Sequence, residues 1–344
     1  MAAIMGRLRR HGMFDQRSAV IGTDRDAAAL LRYISQHRLL TLKLVGLFGS
    51  DPRANQRQGD DRSLPYRGDF DALLKAIRDG VVNRVIIAMP PDKERQIRAM
   101  VARLSQTPVE VRLAPVGQGL WTQHEVAVLG EMPVVTLQQW PLSRHQRLLK
   151  ASEDWCLALI ALVALMPVML IVAIMIKLDS PGPVLFRQQR QGFNCRTFAI
   201  LKFRTMRAGG DGGEAVVQAQ RNDARVTRIG ALLRRTSLDE LPQLINVLRG
   251  DMSLVGPRPH APSTRAAGRL FGDIARAYPS RHNVKPGMTG WAQVCGWRGE
   301  TRSEEQLLGR LEHDLFYVRN WSIWFDVRIM ARTIAIVLRQ DNAY

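Results

Sequence analysis

Residues 234–244 read Arg-Arg-Thr-Ser-Leu-Asp-Glu-Leu-Pro-Gln-Leu, so two adjacent carboxylates, Asp239 and Glu240, follow two arginines. Two kinds of chemistry use such a pattern. One is helix capping: Ser237 followed three residues later by Glu240 reads as a capping box, and acids suit the positive end of a helix dipole. The other is work on an anion, because a carboxylate can act as nucleophile or base beside cations that hold a charged substrate. Pro242 is tolerated in a first helical turn but costs about 3 kcal/mol in a helix interior. A helix is therefore expected from near Asp239, with Leu244, Ile245, Val247 and Leu248 on its apolar face. Taken alone, the segment favours capping, and its neighbours shift the balance.

Those neighbours are basic. Residues 198–206 alternate like a strand and place Lys202 and Arg204 on one face. Residues 222–230 bring Arg225 and Arg228 toward Arg234, after a glycine-rich loop over 208–214. In Gly256-Pro257-Arg258-Pro259, two prolines stiffen the backbone around one arginine and lower the entropy cost of placing it. The net charge of +18 over 344 residues implies an anionic partner: nucleic acid, acidic lipid or a phosphorylated substrate. Aromatic residues make up 6% and do not interleave with basic runs, which argues against base stacking on nucleic acid. Cys156, Cys195 and Cys295 are too scattered for a metal site or disulfide framework, so a reducing compartment fits. His260 and His313 are isolated and receive no chemistry.

The elements that must hold these residues fall into two regions. In residues 15–135, strands at 18–22, 41–48, 82–89 and 109–113 alternate with helices at 26–37, 70–79 and 92–105. That alternation predicts a Rossmann-like parallel sheet with helices on both faces. Its first turn, Gly22 to Asp26, has one glycine and two aspartates, which suits a pyrophosphate poorly. A regulatory or oligomerisation role fits better. Residues 1–12 are basic without a long apolar core, so no secretory signal is expected.

A linker over 136–150 leads into the second region, residues 151–344. There residues 155–176 form an uncharged apolar run that would cover about 33 Å as a helix, close to the roughly 30 Å bilayer core. Its length suits a simple crossing. Pro167 at its midpoint and basic residues on both flanks suit a hairpin that enters, breaks and returns to the cytoplasmic side. Both courses stay open, with a buried core helix as a third. Residues 325–338 read as an amphipathic helix lying on the membrane, with Trp321, Trp324 and Phe325 as interfacial anchors.

Four blocks occur together in this region: Ser180-Pro181-Gly182-Pro183, Lys202 to Met206, Thr236 to Leu244, and Gly250 to Pro259. In them the chain resembles the bacterial sugar transferase family, the membrane-bound phosphoglycosyl transferases of monotopic type. Residues 284–294 resemble a further block, although Cys295 stands where the family usually has asparagine. The domain order, and residues 297–301, Asp314 and 317–322, resemble its glucose-transferring, exopolysaccharide branch.

The resemblance implies an α/β architecture: the Rossmann-like, CoA-binding-like domain, then a mainly helical, membrane-embedded domain with a re-entrant helix broken at Pro167. It implies that Asp239 attacks the sugar-bearing phosphate of a UDP-sugar and forms a covalent phosphosugar intermediate. Undecaprenyl phosphate then takes the hexose 1-phosphate, and UMP is released. Lys202, Arg234 and Arg258 fall on the phosphate-binding positions, with Arg204 beside them in its block. Mg²⁺ is the implied metal, with Glu240 as its ligand or as a base. The implied setting is the cytoplasmic face of the inner membrane, in contact with phospholipid, with no nucleic-acid partner and with room for a homo-oligomer. Longer members carry transmembrane helices before the Rossmann-like region, so this chain reads as a shortened form or a late start. The rival readings are a non-catalytic membrane scaffold, in which Asp239 and Glu240 face away from any pocket, and a membrane-tethered nucleic-acid binder.

Overall fold

The computed structural model describes residues 17–22, 27, 30, 43–49, 65–115, 126–129, 132–207, 225–262, 264–266, 268–275, 277–297, 299, 301 and 303–339. The chain forms two compact units that divide after Trp140.

In the first unit, β1 (Arg17–Gly22), β2 (Lys43–Phe48), β3 (Tyr66–Gly68), β4 (Arg84–Met89), β5 (Glu110–Pro115), β6 (Val126–Leu129) and β7 (Met132–Gln138) make one sheet. Its order is β3-β2-β1-β4-β5-β7-β6. The first five strands pair in parallel, and β7 runs antiparallel to both β5 and β6. All six residues of β4 are buried: the apolar run from Val85 requires this of a strand covered on both faces, and Arg84 is buried in an ion pair with Glu110 at 2.9 Å. Helices α1 (Phe70–Arg78) and α2 (Glu94–Leu104) bury Leu73, Ile77, Ile97 and Leu104 against it. Asp69 starts α1 by accepting from Ala72 N at 2.9 Å. The β6–β7 pair was not expected; Pro133 lies within β7 and has no amide to donate, which weakens a strand reading. Of the helix expected at 26–37, only Ala27 and Leu30 are described, both buried. Residues 23–26, 208–214 and 1–12 lie outside the described residues.

The second unit opens with α3 (Arg144–Asp179), a helix of 36 residues. It starts well before the apolar run because Ser143 and Gln146 form a capping box. At 1.5 Å per residue it is about 54 Å long. The helix runs through Pro167 without interruption. One face packs on the rest of the unit, with Ala158 against Ile200, Leu244 and Val247, and Val172 and Ile176 against Phe203 and Leu233. The other face is bare: Ile160 is 64% and Leu170 63% exposed. A contiguous apolar surface of this kind marks an interaction site, and a long, apolar, little-buried helix is suited to membrane association.

The hairpin of β8 (Leu185–Gln191) and β9 (Thr197–Phe203) follows, with Phe186 opposite Lys202 and Arg190 opposite Phe198. Next come α4 (Arg228–Thr236) and α5 (Gln243–Arg249), then α6 (Glu304–Arg319) and α7 (Ile323–Arg339). The expected amphipathic helix is α7, and Trp324 on it is 82% exposed. Trp321 corrects the expectation of an interfacial anchor: it is buried, and its Nε1 donates to Asp326 at 2.9 Å. Phe325 is likewise drawn inward, packing on Trp291 and Tyr317.

A buried ionic cluster sits at the foot of α3. Lys150 lies 3.0 Å from Asp154 and 2.7 Å from Asp326. Burial pushes the neighbouring Glu153 carboxyl up to about 7, with Lys150 opposing and Asp326 and Asp154 adding. The folded state therefore binds this proton more tightly than the unfolded chain. The stability it contributes is present below the ordinary carboxyl range and is lost as pH rises toward 7. The unfolding midpoint of Glu153→Gln relative to the parent should thus increase between pH 5 and pH 7.5. Parallel pH curves for the two proteins would refute this.

Candidate active site

The carboxylate pair is presented by a tight reversal. Helix α4 ends at Thr236, and Ser237 takes a left-handed conformation at φ 59° and ψ 14°. A left-handed residue closes a helix, whereas an N-cap needs extended backbone. Ser237 accordingly makes no side-chain cap bond, and Glu240 N donates to its carbonyl at 3.2 Å instead. The expected capping box is absent for that reason. Leu238 to Glu240 form a short 3₁₀ turn, and α5 begins only after Pro242, at Gln243 rather than near Asp239. Leu238 and Leu241 pin the turn by packing with Leu233 and Val172.

Around this turn the structure gathers most of the expected cations. Lys202 Nζ lies 2.8 Å from Glu240 Oε1 and 3.6 Å from Asp239 Oδ2. Arg258 meets Glu240 with both ends of its fork, Nη2 to Oε1 at 2.6 Å and Nη1 to Oε2 at 3.3 Å. Arg234 donates from Nε to Thr205 Oγ1 at 2.9 Å and acts electrostatically on Asp239. Thr205 thus orients one of the cations.

Arg204 is a correction. The strand stops at Phe203, so the alternation that would set Arg204 beside Lys202 ends one residue too soon. Its guanidinium instead donates to Ser180 O at 2.6 Å, Ser180 Oγ at 2.9 Å and Pro181 O at 2.9 Å. It ties down the C-terminal end of α3, where unsatisfied carbonyls and the negative end of the dipole favour a cation.

The two carboxylates differ electrostatically. Asp239 is 8% exposed. Burial raises its pKa; Lys202 opposes this, Glu240 reinforces it, and Arg258 and Arg234 oppose it further. Burial also pushes Glu240 upward, but Arg258 and Lys202, with their hydrogen bonds, outweigh it and hold that carboxylate well below its usual range. Glu240 is therefore a fixed anion. Asp239 is the more basic of the two carboxylates.

Sequence reasoning missed two supports. Arg190 faces the same side of the hairpin as Lys202, since residues paired across strands share a face. Burial and then Arg258 lower its pKa to about 10. The alternation of β8 was the available signal. His260 is not isolated: its Nδ1 lies 2.7 Å from Tyr278 Oη and 2.7 Å from Arg281 Nη1. Burial, then Arg281 and Arg310, hold it well below its normal pKa and hence neutral. Arg281 also pairs with Asp314 at 2.7 Å and donates to the Arg258 carbonyl at 2.8 Å.

Among the described residues no group of three or more His, Cys, Asp or Glu side chains is placed to hold a metal. Mg²⁺ does not require one, since it binds one or two carboxylates together with substrate phosphates. Asp239 and Glu240 supply hard oxygens of that kind. Glu240 is already bonded to Lys202 and Arg258, so as a ligand it would share its oxygens with them.

Comparisons with known proteins place the chain by its sequence. The profile of the CoA-binding domain family matches residues 1–115. A UDP-glucose:undecaprenyl-phosphate glucose-1-phosphate transferase of Xanthomonas campestris pv. campestris is 40% identical, over 100% of this chain and 71% of that protein. One of the same name from Escherichia coli (strain K12) is 40% identical, over 96% of this chain and 69% of its own length. A UDP-N-acetylgalactosamine-undecaprenyl-phosphate N-acetylgalactosaminephosphotransferase of Aeromonas hydrophila is 43% identical over 55% of this chain and 44% of that protein. The bacterial sugar transferase profile matches residues 145–340, which include the carboxylate pair and its cations, and the chain belongs to that family.

Proposed function

We propose that this chain, a phosphotransferase by its family, moves glucose 1-phosphate from UDP-glucose to undecaprenyl phosphate and releases UMP, as a first membrane step in building a surface polysaccharide. The observation that supports it most is the buried Asp239, flanked by a Glu240 that Lys202 and Arg258 hold as an anion. A free Asp239 oxygen attacks the phosphorus that carries the sugar, and the bond to the UMP oxygen breaks. An oxygen of the lipid phosphate then attacks the same phosphorus, and the Asp239 carboxylate leaves. Lys202, Arg234 and Arg258 neutralise the phosphate charge in both steps. When bound, Mg²⁺ would add Lewis-acid charge neutralisation, with Asp239 and Glu240 as its protein oxygens.

Glucose is favoured over other hexoses by relatives that match nearly the whole chain. The N-acetylgalactosamine relative matches only 55% of this chain. Purified protein in detergent with Mg²⁺, undecaprenyl phosphate and a panel of UDP-sugars should release UMP fastest from UDP-glucose. No release from any donor would reject the reading.

The anchor belongs to the same proposal. Lipid covers the bare face of α3, and the reacting carboxylate works at the cytoplasmic surface of the inner membrane. A re-entrant course requires α3 to bend in lipid at Pro167, where the ring removes a backbone donor and crowds the turn before it. Both basic flanks then stay on one side. With native cysteines replaced, Ser143→Cys and Gln189→Cys should be labelled from the same side of sealed vesicles. Labelling from opposite sides would establish a crossing instead.

A further inference from the structure

We propose that Asp154, at the foot of the apolar helix, is a positioning residue for Arg258 and acts through the strand at Ser253–Val255. This rests on the phosphotransfer reading above. Asp154 accepts from Ser253 Oγ at 2.7 Å and from Leu254 N at 2.9 Å. Asp154 is 5% and Ser253 1% exposed, so neither bond competes with bulk water. Lys150 holds the same carboxylate at 3.0 Å and Asp326 at 2.7 Å. Tyr317 Oη closes the loop, donating to Asp326 Oδ1 at 2.8 Å and lying 3.0 Å from Val255 O. Helices α3, α6 and α7 therefore all grip one short strand.

From that strand to Arg258 the backbone has little freedom. Ser253 and Val255 pair in parallel with Gly287 and Thr289. Gly256 N donates to Thr289 O at 2.8 Å, and Gly287 N donates to Pro257 O at 3.0 Å. A Cβ at Gly256 would lie 2.5 Å from Lys285 O, so the chain there fits only without a side chain. Pro257 and Pro259 fix φ on either side of Arg258. A displacement at Ser253 is thus passed on to the guanidinium that clamps Glu240.

A buried carboxylate is a costly way to fill a core, since its desolvation must be offset by directed bonds. Here two of those bonds fall on the strand that delivers an active-site arginine. Bonds to an ionised acceptor are about twice as strong as neutral ones, and a misplacement of about 1 Å at a reacting centre can cost ~100-fold in rate.

The test is a double-mutant cycle read as UMP release from radiolabelled UDP-glucose. Asp154→Asn should lower kcat about 100-fold and Ser253→Ala about 10-fold. In an Arg258→Ala background each should lower it by less than about twofold more, because residues acting through one group are not additive. Full, multiplying losses in that background would overturn the proposal, as would unchanged kcat in both single variants. If Asp154→Asn does not fold, Ser253→Ala, which removes a single hydroxyl, carries the cycle alone. Hydrogen exchange of the 253–260 backbone needs no turnover. Faster exchange there in Ser253→Ala with an inactive parent would sink the function and keep the coupling. An active parent with unchanged exchange and additive losses would do the reverse.

Discussion

Asp239→Asn should lower UMP release by roughly 10⁴-fold or more, the scale on which loss of an attacking residue is felt, while the protein becomes no less stable. The amide matches the carboxylate in size, so the site at Asp239 stays filled. It has no oxygen able to form the ester with phosphorus. The sign of the stability change follows from the raised pKa of Asp239, which burial dominates. A raised carboxyl pKa means that the ionised form costs folding energy near neutral pH, and a neutral residue removes that cost. Inactivity with an unchanged or higher unfolding midpoint would mark a site residue whose charge is kept for chemistry rather than for the fold. Mass spectrometry of donor-treated, rapidly quenched parent protein should find the phosphosugar on the Asp239 peptide, and the variant should lack it. Retained turnover in the variant would eliminate Asp239 as nucleophile.

Lys202→Met should behave differently, losing both rate and stability. Methionine keeps the apolar stem and deletes the ammonium that reaches both carboxylates. Removing one preorganised charge from such a site costs about 10²–10³ in kcat. Glu240 then sits buried with Arg258 as its main counter-ion, and an under-partnered buried charge costs about 1–3 kcal/mol. Adding Glu240→Gln to Lys202→Met should return most of that stability without returning the activity. If the single variant keeps full stability, water or another cation has taken the place of Lys202. If it keeps full activity, Lys202 does not hold phosphate.

The contrast between these residues also shows what was legible beforehand. Strands β1, β2, β4 and β5 and helices α1 and α2 followed their apolar patterns, because each buries a face that its own residues define. Asp239, Glu240, Lys202 and Arg258 were recognisable from their blocks, and the fold brings them within ion-pair distance. Other features depended on partners distant in sequence. Ser237 could not be read as left-handed, because its conformation is set by how α4 meets the turn after it. Trp321 was drawn from the surface by Asp326, and His260 from isolation by Arg281 and Tyr278. Arg204 failed by one residue, at the end of a strand whose last position depends on its pairing with Leu185.

That last arginine carries a consequence of its own. Its guanidinium joins Ser180, the residue that caps α3, to the end of the strand that carries Lys202, so the helix end and that strand are held in register. Under the proposed function, in which α3 is embedded and Asp239 attacks, the thickness of the surrounding bilayer would be a ruler for the height of that carboxylate above the lipid headgroups. An acceptor whose phosphate floats at headgroup level would then meet that carboxylate at one depth, and the host membrane itself would become a determinant of turnover.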